Sequence, residues 1–109
     1  MNTKKVEIGG KKLEVGFSMG VAIDWERLSG RSFNVGESLG DVGGQVMLCY
    51  AALKRCNKSV ALPEFDDWVD GLSAEDNVRL QGAVAECLEE FYKLPGAAAE
   101  DDGAKEKNA

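Results

Sequence analysis

"KVEIGGKKLEV" (residues 5–15) is the stretch that decides the fold class. Two runs of alternating apolar and charged residues flank Gly9-Gly10, a pair free to take the positive φ angles of a type I′ turn. A two-residue loop sets Ile8 opposite Lys11, and the later pairings follow from that. Val6 then faces Leu13, and Val15 falls on the same apolar side. On the other side Glu7 meets Lys12 and Lys5 meets Glu14, two opposite-charge pairs from one register. A lone hairpin is marginal in water, so its apolar side must lie on helices.

Those helices can be read outward from the hairpin. Ser18 suits an N-cap for a helix ending at Ser29, with Gly30 as the left-handed residue beyond it. Val21, Trp25 and Leu28 share one side of this helix, while Met19 and Ile23 lie nearly opposite. A surface helix should be apolar on one side only. Either this helix is sandwiched inside the domain, or one side is kept for a partner. Residues 31–44, with Gly36, Gly40, Gly43 and Gly44, read as a loop with one helical turn at 37–41.

A longer helix over 44–57 carries Val46, Cys49, Leu53 and Cys56 at helical spacing. Met47, Leu48 and Tyr50 widen that stripe almost all round, as expected of a central buried helix. Pro63 suits the first turn of a short helix over 63–70 closed by Gly71. "SAED" (73–76) resembles a capping box, and the last helix runs to Lys93 with Leu80, Val84, Cys87, Leu88 and Phe91 inward. Pro95 stops it. The expected architecture is α+β, mostly α: an N-terminal two-stranded hairpin packed on a bundle of about four helices. Residues 1–94 form one globular domain, and 95–109, without large apolar residues, a disordered acidic tail.

Charge and composition exclude several functions. The net charge of −6 is uneven: residues 1–17 carry +2, 18–62 carry +1, 63–94 carry −7 and 95–109 carry −2. A nucleic-acid groove needs clustered Lys and Arg to displace counterions, so nucleic acid is not an expected partner. No apolar run approaches the ~20 residues of a membrane span, and no apolar segment follows Lys4-Lys5 to make a signal peptide. Cys49, Cys56 and Cys87 sit in apolar helical context and read as reduced, buried thiols of a cytoplasmic protein.

Catalytic groups are missing as well. Without a single His, neither a Ser-His nor a Cys-His pair nor an imidazole metal site can be built. The acids Glu64, Asp66, Asp67, Asp70, Glu75 and Asp76 lack the alternation of a calcium loop and suit the first turns of two helices, solvated. "GESLGDVGG" (36–44) lacks the Lys-Ser/Thr ending of a phosphate loop and carries Glu37 and Asp41, which repel phosphate. It reads as a flexible connector. The chain is therefore expected to be no enzyme and to hold no metal or cofactor.

The order of elements adds a resemblance. A Gly-turn hairpin leads into "FSMGVAIDWERLSGRSF", a Gly-containing loop, "VMLCYAALKR", a Pro-started helix and an acidic last helix. Over residues 3–92 this resembles the small tail assembly chaperones of long-tailed bacteriophages. Their "IGGK–L–V–F" hairpin is followed by a helix ending in an "E–LTG" type sequence, here Glu26, Leu28, Ser29 and Gly30. Ser29 replaces the usual Thr and keeps the hydroxyl. A "W/Y-A-A-L" type core matches Tyr50, Ala51, Ala52 and Leu53.

The resemblance implies a non-enzymatic assembly factor of the bacterial host's cytoplasm that keeps the tape measure protein soluble while the tail tube polymerises around it. Many such chaperones also have a longer, frameshifted form whose extension recruits the tail tube protein, and a polar tail suits a linker to it. In that reading Trp25 is buried in the domain. Met19 and Ile23, with Phe33 just past the helix, bind the client's apolar helix or a neighbouring copy of the chain. Against this stands the plain alternative that both sides are core, the usual fate of apolar side chains. Two other functions stay open: a structural virion component, such as a small tail or head-completion protein, and a mobile-element regulator. The regulator would want a basic recognition helix, and Lys54-Arg55 is the only basic cluster on a helix.

Overall fold

The structure, a computed structural model, describes residues 1–93; the expected acidic tail over 95–109 lies outside them. The element order is β1 (Thr3–Ile8), β2 (Lys11–Gly16), α1 (Met19–Ser29), α2 (Val35–Ser38), α3 (Val42–Cys56), α4 (Phe65–Asp70) and α5 (Ala74–Tyr92). The fold is α+β, mostly α, as the pattern indicates, with α2 as an additional short helix.

β1 and β2 pair antiparallel in the register set by the two-residue turn, from Ile8 opposite Lys11 to Thr3 opposite Gly16. Gly9 and Gly10 have φ of 60° and 79°, a combination that side chains resist and that gives the turn the strands' own twist. Val6, Ile8, Leu13 and Val15 are buried on one face, each worth roughly 1.5–3 kcal/mol of transfer free energy. That face lies on α3 and α5. Glu7 and Lys12, like Lys5 and Glu14, are opposite one another without closing to ion-pair distance.

Side chains distant in sequence fasten the hairpin. The Asp76 carboxylate, in the first turn of α5, accepts a hydrogen bond from the Gly9 N–H at 2.9 Å. The capping box is therefore half formed: Ser73 Oγ accepts from Asp76 N at 3.1 Å, but the acid reaches across to the turn. Asn57, which ends α3, brackets Glu14 of β2. Its Oδ1 accepts from Glu14 N at 3.0 Å and its Nδ2 donates to Glu14 O at 2.7 Å, as a further strand would.

α3 is the central helix, with Val46, Leu48, Cys49, Tyr50 and the Ala51–Leu53 run buried. It begins at Val42, two residues earlier than its apolar stripe suggests. Asp41 is the reason: its Oδ1 accepts from Gly44 N at 2.7 Å and satisfies a free donor of the first turn. The segment 31–44 is correspondingly not a loose connector. Asn34 caps α2 by accepting from Gly36 N and Glu37 N, both at 3.1 Å. Ser38 is buried, accepting from Asn34 N at 2.7 Å and donating to Ser32 O at 3.3 Å.

Three further boundaries or burials differ from the sequence reading. α4 starts at Phe65, because the Pro63 carbonyl is taken by the Tyr50 hydroxyl at 2.5 Å and the chain stays extended there. Cys56 is only half-buried, at the end of α3 beside Met1. Phe91 is 43% exposed, since α5 runs past the edge of the core at its last turn.

Candidate functional site

The first helix settles which of its two apolar sides the domain covers. Val21, Ala22 and Trp25 are buried against α3, and the Trp25 indole N–H donates to the Gly44 carbonyl at 2.9 Å. The guanidinium of Arg31 lies 5.1 Å over the Trp25 ring. On the other side Met19 is 50% and Ile23 46% exposed. Four residues apart, they form one ridge on the outer surface of the helix. The helix is not sandwiched among the described residues, which leave this ridge exposed.

Phe33, grouped with that ridge in the sequence reading, occupies a different environment. Its ring is half-buried, 5.4 Å edge-on from Trp25 and 5.8 Å from Phe17. Its N–H donates to Glu26 Oε2 at 2.7 Å, which fixes the turn after Gly30. Phe33 is thus committed to closing the core over Trp25, and the free apolar surface of α1 is Met19 and Ile23. Leu28, read as facing inward with Val21 and Trp25, is 37% exposed. It sits at the C-terminal end of α1, where the helix diverges from its partner.

Leu28 opens onto a cleft of about 430 Å³ between α1 and α3, floored by Leu28, Tyr50 and Ala51 and edged by Arg27, Lys54, Arg55 and Lys58. Arg55 is held by Asp24, through Nε at 2.8 Å and a second nitrogen at 3.2 Å. Its guanidinium crosses Gly20, where a Cβ would come within 2.6 Å of it. Lys54 Nζ stands 5.7 Å over the Tyr50 ring. The sequence signals Lys54-Arg55 as a basic pair, but not that Arg27 and Lys58 join it. That grouping arises only when α1 and α3 pack antiparallel.

Asp41 and Asp76 carry out structural work with their charges. Asp76 is held below the usual aspartate range, chiefly by the Gly9 N–H and then by Arg79. Asp41 is lowered by the Gly44 N–H and by Arg31, 3.5 Å away. Burial pushes the Cys49 thiol up to about 12, and Cys87 is raised for the same reason, which makes both poor nucleophiles. Among the described residues no three His, Cys, Asp or Glu side chains gather as a metal site. Nor is any helix of the described residues long and apolar enough to cross a membrane.

The described residues thus present an apolar ridge on α1 and a cationic cleft between α1 and α3. No family model matches the chain, and no curated protein or solved structure matches it at a significant level.

Proposed function

We propose that this chain is a non-enzymatic tail assembly chaperone of a long-tailed bacteriophage, which binds the tape measure protein and keeps it soluble during tail morphogenesis. The carrying observation is the Met19–Ile23 ridge, exposed on a helix whose opposite side holds the fully buried Trp25. A chaperone of an extended helical client needs such a surface: apolar enough to cover the client, on an element the domain already holds rigid. The resemblance of the hairpin, of "ERLSG" and of "YAAL" to that family supports the same reading. So do the burial of the Cys49 and Cys87 thiols and the structural hydrogen bonds that engage Asp41 and Asp76. In this reading the protein works in the host cytoplasm, without cofactor or ATP, and a longer frameshifted form brings in the tail tube protein.

The test is co-expression with the tape measure protein of the same phage. The client should stay soluble and co-purify with this chain, and the chain should be missing from mature virions. If the client precipitates and this chain is instead retained in purified particles, it is a structural subunit of the virion.

A further inference from the structure

The cationic cleft continues into a surface of opposite charge. Leu28 also lines a second depression, with Met47, Glu64, Phe65 and Asp66. One continuous surface thus has Arg27, Lys54 and Lys58 at one end, apolar Leu28 and Met47 in the middle, and exposed Glu64 and Asp66 at the other. The acidic end is a lip. It is the start of α4, standing beside α3 and pinned there by the Tyr50 hydroxyl on the Pro63 carbonyl and by the Tyr50–Phe65 ring contact at 5.3 Å. The cleft is a recess, and the acidic rim beside it is held in place before anything binds.

We propose that two copies of this chain associate about a twofold axis across this surface, the Glu64–Asp66 lip of each seated in the Arg27–Lys54–Lys58 cleft of the other. A twofold contact requires a surface that complements itself, residue i meeting j and j meeting i. Cations at one end and carboxylates at the other meet that requirement. A nucleic acid would meet the carboxylates of the lip as well as the cations. A chain of net charge −6 repels its own copies at long range, and a face with locally paired opposite charges offsets that repulsion in one orientation. Association would cover Leu28, Met47 and Phe65, which the single chain leaves partly in water. Neither depression is lined by Met19 or Ile23, so the inference does not rest on the chaperone reading.

The experiment is the solution mass of the full chain, by light scattering and sedimentation at low salt, with circular dichroism on each variant. The wild type should be a dimer that dissociates as salt rises, because salt screens the end-to-end charge pairs. Lys54→Glu and Asp66→Lys, both at exposed positions, should each be monomeric. Mixed together they should form a one-to-one dimer, since Glu at 54 then faces Lys at 66 and the native Lys54 faces the native Asp66. A wild-type monomer throughout, or a dimer indifferent to both substitutions, overturns the proposal. Growth of the mixture beyond a dimer overturns the twofold. Should Lys54→Glu lose its helical spectrum, Lys58→Glu carries the same charge test.

Discussion

The indole N–H of Trp25 donates to the main-chain carbonyl of Gly44 at 2.9 Å, inside the protein and across nineteen residues of chain. It binds the middle of α1 to the first turn of α3. Glycine is required at 44 for want of space: a Cβ at this position would overlap the Ser38 carbonyl oxygen. α1, α2 and α3 therefore meet at one buried point, which holds the inner side of α1 down while its outer side is left free.

Substitutions at that point should separate area from hydrogen bonding. Trp25→Phe keeps most of the buried ring and should cost ~1–3 kcal/mol for the lost hydrogen bond and the space left by the smaller ring. Trp25→Ala should cost ~3–5 kcal/mol, a large part of the stability of a domain this small. Gly44→Ala should reach or exceed the upper end of the ~1–3 kcal/mol of ordinary overpacking, because the obstacle is backbone. Urea denaturation midpoints give all three. A Gly44→Ala protein as stable as wild type would show that α2 does not press on α3.

The outer side of α1 should behave in the opposite way. Met19→Asp and Ile23→Asp are at exposed positions and should change stability by no more than about 0.5 kcal/mol. Under the proposed function each should nevertheless abolish recovery of soluble tape measure protein in co-expression. If Ile23→Asp unfolds the domain as Trp25→Ala does, that side is core and the client surface lies elsewhere.

The hairpin should tolerate changes on one face and not on the other. Reversing Glu7 or Lys12 should cost at most ~1 kcal/mol, since these exposed partners are opposite without a close ion pair. Leu13→Asp should unfold the domain by placing an unpaired charge against α3 and α5. Thermal melts should place the charge reversals within several degrees of the wild type and show no cooperative transition for Leu13→Asp; a folded Leu13→Asp protein would mean that this face is not core.

Acid should loosen the structure through Asp41 and Asp76. Both are held below the ordinary value of 3.8 by backbone N–H donors, Gly44 and Gly9, with Arg31 and Arg79 adding to it. A carboxylate lowered by folding contributes stability above its unfolded pKa and loses it as pH falls through the folded one. Stability should therefore decline below about pH 4, and a double Asp41→Asn, Asp76→Asn variant should show a shallower acid limb. Equal acid limbs in denaturation at stepped pH would exclude these two groups as the cause.

The three cysteines should not react alike. Burial raises all three thiols, but Cys49 and Cys87 are buried while Cys56 is half-buried at the end of α3, so access separates them. Under native conditions a disulfide reagent should modify Cys56 well before the other two, and all three together in denaturant. Equal rates in the native protein would mean that α3 opens far more readily than its packing implies.

What the sequence determined by itself is everything governed by neighbours a few residues apart. Alternation around Gly9-Gly10 set the register down to each opposing pair. Ser18, Ser73, Gly30 and Asn57 marked helix ends because capping is a bond between a residue and the turn beside it. Even Asp41 at the head of α3 was legible in principle, but four nearby glycines hid it, glycine being weak in helices.

What only the tertiary structure decided is which partners distant segments found. Periodicity reports that α1 is apolar on two sides, yet not that α3 covers Trp25 and leaves Met19 and Ile23 in water. It cannot show that Asp76 reaches Gly9, that Asn57 brackets β2, or that Arg27 joins Lys54 and Lys58. Such meetings depend on how helices pack across the hairpin, and packing is a property of the whole folded chain. Helical spacing places a side chain on a side of its own helix; the neighbouring elements then decide whether that side is core, cleft or open surface.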